Sequence, residues 1–166
     1  MSIAETNEAI EKYQRLVYGL ALAYTRSKHD ADDAFQETFL AFHRHSGKWA
    51  DEEHCRAWLI RTAVNMSRRI TCSIWRKRTV SMENAEDAAE QFCYETAEQN
   101  EIAAAVKELP EKYRMVIWLY YFEEMSVREI SAAVGTGEGT VRSQLHRGRE
   151  ILRGQLKDYF DEEGDE

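Results

Sequence analysis

The sequence predicts an all-α protein built as two small helical domains joined by an acidic linker. Three observations carry that expectation. The 166 residues include one proline and eight glycines, too few for the many turns of a β-rich fold. Apolar residues recur at helical spacing over most of the chain. Charge is laid out in blocks: seven basic residues and no acidic one from Arg56 to Thr79, then seven acidic residues and no Lys or Arg from Val80 to Val106.

Residues 1–78 read as the first domain. Ile10, Tyr13, Leu16, Val17, Leu20 and Tyr24 form one apolar stripe, giving an amphipathic helix over 6–27. Asp30 can cap a second helix, with Ala34, Phe35, Thr38, Phe39 and Phe42 facing inward. Asp32, Asp33, Gln36 and Glu37 lie elsewhere on its surface, where acids near a helix N-terminus are favourable in any case. A loop from His43 to Glu53 holds Gly47 and Trp49, and a long helix over about 53–77 turns Cys55, Leu59, Ala63, Met66, Ile70 and Ile74 inward.

On another side of that helix, Arg61, Asn65, Arg68, Arg69, Cys72 and Arg76 share an arc of roughly 100°. A solvated basic stripe needs no amide at its centre, whereas a base-reading surface benefits from one. Arg and Lys would bind phosphates, while Asn65 and an aromatic such as Trp49 could read or stack unpaired bases. By themselves these residues leave nucleic-acid binding and a merely solvated face both open.

Residues 79–100 (TVSMENAEDAAEQFCYETAEQN) have weak periodicity and one sign of charge, as a solvated linker would; a short polar helix over part of them is the alternative. The second domain spans 101–160. It opens with a short helix from Glu101 to Glu108, and Pro110 suits the first turn of an apolar core helix carrying Val116, Ile117, Leu119, Tyr120 and Phe122. Ser126 and Glu129 form a capping box for a helix carrying Val127, Ile130 and Val134, and Gly135 suits its left-handed end.

After the turn TGEG, a last helix buries Val141, Leu145, Leu152 and Leu156 and exposes Arg142, Ser143, His146, Arg147 and Arg149. Two short helices, a glycine turn and a basic second helix make the helix-turn-helix pattern, and Arg142, Ser143 and Gln144 lie near the end that meets base edges. Gly148 stands against the pattern, costing about 1 kcal/mol relative to alanine in a helix interior. Residues 161–166 form an acidic tail.

The net charge of −8 and pI near 5.2 do not exclude DNA as a partner, because the seven acids from Val80 to Val106 and the five of the tail account for more than all of it. With those twelve acids set aside the remainder carries +4, and local field rather than total charge steers a polyanion. No run approaches the ~20 apolar residues that span a bilayer, so no membrane insertion is expected. The start MSIAETNEAIEKYQ lacks a signal-peptide pattern, and a cytoplasmic, soluble protein is expected. Cys55, Cys72 and Cys93 are an odd number without paired spacing, which argues against a disulfide framework. His43, His45 and His54–Cys55 match no structural zinc spacing, so no metal site is expected, and no cofactor either. No catalytic constellation or Gly-rich phosphate loop stands out, so the chain does not read as an enzyme.

These motifs resemble the extracytoplasmic-function (ECF) sigma factors of bacterial RNA polymerase over almost the whole chain. "DADDAFQETFLAFHR" is similar to the segment that docks on the polymerase clamp. "RAWLIRTAVNMSRRI" is similar to the helix that reads and melts the promoter −10 element. "LPEKYRMVIWLYYFEEMSVREISAAVGTGEGTVRSQLHRGREIL" is similar to the −35-binding module. The resemblance implies roles by position: Asp33, Gln36 and Glu37 for core polymerase binding; Arg61, Asn65, Arg68, Arg69 and Trp49 for the −10 element; Arg142, Ser143, His146, Arg147 and Arg149 for the −35 element. It implies core RNA polymerase and promoter DNA as partners, an anti-sigma factor as a further one, and a linker that threads the polymerase's nucleic-acid channel. Two other readings stand beside it. A helix-turn-helix regulator acting without polymerase would leave the Asn65 stripe and the acidic linker idle. An enzyme on single-stranded nucleic acid would need carboxylates or histidines on that stripe, which has none.

Overall fold

The computed structural model describes residues 1–77 and 97–156, with side chains over 1–73 and 102–156. The described residues form seven helices and no strand, in two compact units, Met1–Gln91 and Phe92–Glu166. Residues 79–96 of the linker expected over 79–100, the tail over 161–166, Cys93 and the side chains of Ile74 and Arg76 lie outside the described residues. Among the described residues no helix is long and apolar enough to cross a membrane.

The first unit is three helices, each packed on the other two: α1 (Ile3–Thr25), α2 (Lys28–Arg44) and α3 (Glu52–Lys77). Helix α1 begins earlier than its apolar stripe suggests, because Ser2 and Glu5 form a capping box. Ser2 Oγ accepts from the Glu5 N–H at 3.2 Å and Glu5 Oε2 accepts from the Ser2 N–H at 2.7 Å. It stops at Arg26, whose left-handed backbone (φ 56°) lets its N–H reach the Leu22 carbonyl.

That abrupt stop moves the start of α2. Asp30 was the expected cap, but the chain has already reversed at Ser27, whose hydroxyl accepts from the Asp30 N–H at 3.4 Å. Asp30 therefore sits inside the first turn. Its partial burial pushes its carboxyl above the ordinary range.

The core of this unit joins Ala9, Tyr13 and Val17 of α1 to Phe39 and Phe42 of α2 and Cys55, Leu59 and Ala63 of α3. Each fully buried Leu or Val in such a core stabilises by about 1.5–3 kcal/mol relative to exposure. Ile60, Val64 and Ser67 are also buried on α3, which widens its inward face beyond the expected stripe. Met66 and Ile70, expected inward, are only half-buried.

The second unit holds α4 (Ala97–Lys107), α5 (Glu111–Tyr121), α6 (Val127–Val134) and α7 (Glu138–Gln155). Helix α4 starts four residues before the expected Glu101, inside the stretch read as linker. Pro110 stands at the N-cap of α5 rather than in its first turn, and its carbonyl accepts from the Tyr113 and Arg114 N–H groups. Met115, Val116, Ile117, Trp118 and Leu119 are consecutive and all buried, as a helix enclosed by α4, α6 and α7 requires. Arg114 is buried as well, and its guanidinium donates to the Leu109 carbonyl at 3.0 Å.

Helix α6 carries the expected capping box, Ser126 with Glu129, and ends at Gly135 with φ 75°. Ser126→Ala should cost about 1 kcal/mol, read as a lower midpoint for the second unit in thermal unfolding; an unchanged midpoint would show that the box is idle. The turn after α6 is shorter than expected. Gly137 is the N-cap of α7, so Glu138 and Gly139 already belong to the helix, where an acid is favoured.

Gly148 reverses its expected sign. It is buried, and a Cβ there would lie 2.8 Å from Ile117 Cγ1 and 3.1 Å from its Cδ1. The glycine lets α7 approach α5, and the helix-propensity cost is the lesser effect.

Candidate nucleic-acid and partner interfaces

Burial of one face of α3 fixes what the other presents. Arg61, Asn65, Arg68 and Arg69 are all exposed, with Cys72 one turn beyond. Asn65 stands one turn from Arg61 on one side and from Arg68 and Arg69 on the other, so its amide is the neutral centre of a basic stripe. The backbone of α3 continues through Arg76, whose side chain is not described.

Arg69 has a second setting. It lines a groove of about 750 Å³ between α2 and α3 together with Asp33, Gln36, Glu37, Met66, Ile70, Cys72 and Ser73. Its guanidinium reaches Met66 Sδ at 3.6 Å. The fold thus brings one residue expected at DNA beside all three expected at polymerase.

Trp49 is not an open loop aromatic. It is half-buried, stacked with His45 (centroids 4.6 Å apart, planes at 13°) and with Phe42 (5.6 Å, 12°), and it touches Trp58. Gly47 lies against this cluster, and a Cβ there would lie 2.5 Å from His45 Nε2, so the ring would have to shift. The other groups near the loop are also engaged. His43 Nδ1 is 2.9 Å from Thr6 Oγ1, and His54 Nδ1 accepts from the Ala50 N–H at 3.2 Å. Cys55 is buried, which pushes its thiol above the ordinary value and keeps it protonated.

On α2, Asp33, Gln36 and Glu37 are exposed along one face. Leu40 continues that face at 43% exposure, an apolar side chain the sequence reading passed over. Its signal was spacing: positions 33, 36, 37 and 40 lie on one side of a helix. Asp32 is turned away and serves Tyr18, whose phenol is pushed up to about 12 by burial first and by the bond to Asp32 second.

On α7, the apolar side is Val141, Leu145, Gly148 and Leu152. Arg142, His146, Arg149 and Arg153 recur within roughly 60° of arc on the other side, while Ser143 and Arg147 flank them. Arg153 belongs to the same arginine-rich segment and extends the stripe by one turn beyond the residues expected at the −35 element. The basic groups are not bare. Arg142 pairs with Glu138 at 3.4 Å, and Glu150 holds both Arg147 (3.2 Å) and His146 (3.3 Å). Ser143 Oγ donates to the Gly139 carbonyl at 3.1 Å. Arg149 leans back onto α5, over the rings of Tyr120 and Tyr121, and donates from Nε to the Tyr121 hydroxyl at 2.6 Å. Its guanidinium is thereby fixed in direction, at the edge of the stripe.

Comparison with known proteins agrees with both units. Residues 9–71 match the family model for Sigma-70 region 2, and residues 99–152 match that for Sigma-70 region 4. The chain is 31% identical to the ECF RNA polymerase sigma factor SigE of Mycolicibacterium smegmatis, over 94% of this chain and 63% of that one. It is 35% identical to the RNA polymerase sigma-E factor of Streptomyces antibioticus, over 77% of this chain and 71% of that one. A solved structure of the sigma factor RpoE from Bartonella quintana, in complex with the anti-sigma factor NepR, shares the fold. There the TM-score is 0.72 at 18% identity, over 95% of this chain and 99% of that chain. With both region models matched in order and the sequence relatives agreeing, the chain belongs to the ECF sigma factors of RNA polymerase.

Proposed function

We propose that this protein binds core RNA polymerase and directs it to promoters, with the first unit opening the −10 region and the second binding the −35 duplex. The observation that carries the reading is the pair of separate basic faces on one chain. One is centred on an amide, Asn65; the other lies on the second helix of a helix-turn-helix. A regulator that only grips duplex DNA has no use for the first.

In this reading Asp33, Gln36, Glu37 and Leu40 dock on polymerase. Arg61 and Arg68 hold phosphates while Asn65 reads an unstacked base. Arg69, at the α2–α3 groove, touches both surfaces. The His45–Trp49–Trp58 cluster stiffens the loop beside the stripe, so Trp49 acts through packing as much as by stacking on a base. On α7, Arg142 and Ser143 are nearest the end that meets base edges, with His146, Arg147 and Arg149 along the groove. The acids of the expected linker, residues 79–100, would follow the path of RNA through the polymerase. The protein supplies specificity and leaves catalysis to the polymerase, needs no cofactor, and works in the cytoplasm where the DNA is. An anti-sigma factor is a fitting further partner, as RpoE of Bartonella quintana has one.

The test is run-off transcription from a genomic promoter pool with core polymerase, with and without this protein. Discrete starts that need both components are expected. Footprints by the protein alone and no transcripts would transfer the reading to a polymerase-independent regulator. Within that assay, Asn65→Ala should lower permanganate reactivity at the −10 region about tenfold at equal promoter occupancy, the scale of one lost base contact. Wild-type reactivity would remove the role of Asn65.

A further inference from the structure

We infer that Glu150 sets how selectively α7 binds DNA, by standing where a phosphate would stand between His146 and Arg147. The inference rests on α7 being the DNA-facing helix. One carboxylate serves two of the basic side chains assigned to that face, Oε1 at 3.3 Å from His146 Nε2 and Oε2 at 3.2 Å from an Arg147 guanidinium nitrogen. A carboxylate offers paired acceptor oxygens much as a phosphate does, so the two compete for the same donors. Glu150 is 45% exposed, and contacts of this kind in water are weak enough to be exchanged.

The exchange leaves an uncompensated carboxylate close to the DNA backbone. That penalty is greatest on a random duplex, where phosphates are all that α7 can hold and both donors must leave Glu150. At a cognate site base-edge contacts hold the helix as well, so Glu150 keeps part of its pairing. Glu150 therefore suppresses background binding more than cognate binding.

Glu138, the other acid on this face, has a separate reason for its place, since it lies in the first turn of α7 where the helix dipole favours an acid. Glu150 lies well inside the helix and has no such reason. The charge it cancels belongs to the residues that would otherwise bind any polyanion.

The experiment uses the full chain and measures fluorescence anisotropy on two labelled duplexes over a salt series. One duplex has random sequence; the other carries the −35 motif found by run-off selection. Glu150→Gln keeps side-chain length and helix propensity, so it separates charge from folding. It should tighten the random duplex about fivefold and the cognate about twofold or less, with a steeper salt dependence. Arg142→Ala is the control and should weaken both duplexes. Should Glu150→Gln change nothing, change both duplexes equally or weaken them while Arg142→Ala still weakens them, the selectivity role fails and the DNA-facing helix stands. Should neither substitution matter, the reading of α7 as the DNA-facing helix fails along with it.

Discussion

Gly148→Ala is expected to destabilise the second unit by up to about 2 kcal/mol, although alanine is the better helix former. Propensity alone favours alanine by about 1 kcal/mol. Against that, the added methyl would lie 2.8 Å from Ile117 Cγ1, on a side chain only 1% exposed and so without room to move. Overpacking of this kind costs typically about 1–3 kcal/mol and outweighs propensity. For a unit of this size the melting midpoint should fall by up to roughly 10 °C, measured by calorimetry on the full chain. The partner substitution makes the cause specific. Ile117→Ala alone leaves a cavity and costs about 2–5 kcal/mol. In that background Gly148→Ala should become neutral or stabilising, since its methyl then fills space. A Gly148→Ala variant that melts higher in the wild-type background would sink the close-packing account.

The double substitution Gln36→Ala, Glu37→Ala is expected to weaken association with core polymerase at least about tenfold, or about 1.4 kcal/mol. Both side chains are exposed on α2, so little of the fold should be lost, and the thermal midpoint of the first unit should stay put. Leu40→Ala should add to the loss, because an apolar side chain ringed by polar ones is where binding energy concentrates at an interface. The measurement is a titration of labelled full-length protein with core enzyme, alongside Asn65→Ala as a control for the DNA stripe. Unchanged affinity in the double variant would show that polymerase docks elsewhere.

Much of this protein is legible in its sequence. Helical periodicity placed the helices of the first unit, because burying one stripe of each is the main way such segments become stable, while Pro110 and a run of apolar residues placed α5. The Ser126–Glu129 box and Gly135 were legible for a different reason: caps act over four residues, and local chemistry decides them. The exposed basic stripes followed as the complement of the buried ones. The same logic failed where two local signals competed. Ser27 and Asp30 are both good caps, and the left-handed turn at Arg26 chose between them.

What only the tertiary structure decided is what each side chain meets across space. Gly148 reads as a flaw from propensity and as a fit once Ile117 lies opposite. Trp49 reads as a free aromatic until His45, Phe42 and Trp58 close around it. Arg69 belongs to a stripe along α3, yet it also lines a groove that α2 completes. By itself the sequence determined fold class, family and the exposed faces, since periodicity, caps and charge order are properties of neighbours along the chain. Packing partners lie far apart along it, so their contacts appear only when the helices are assembled.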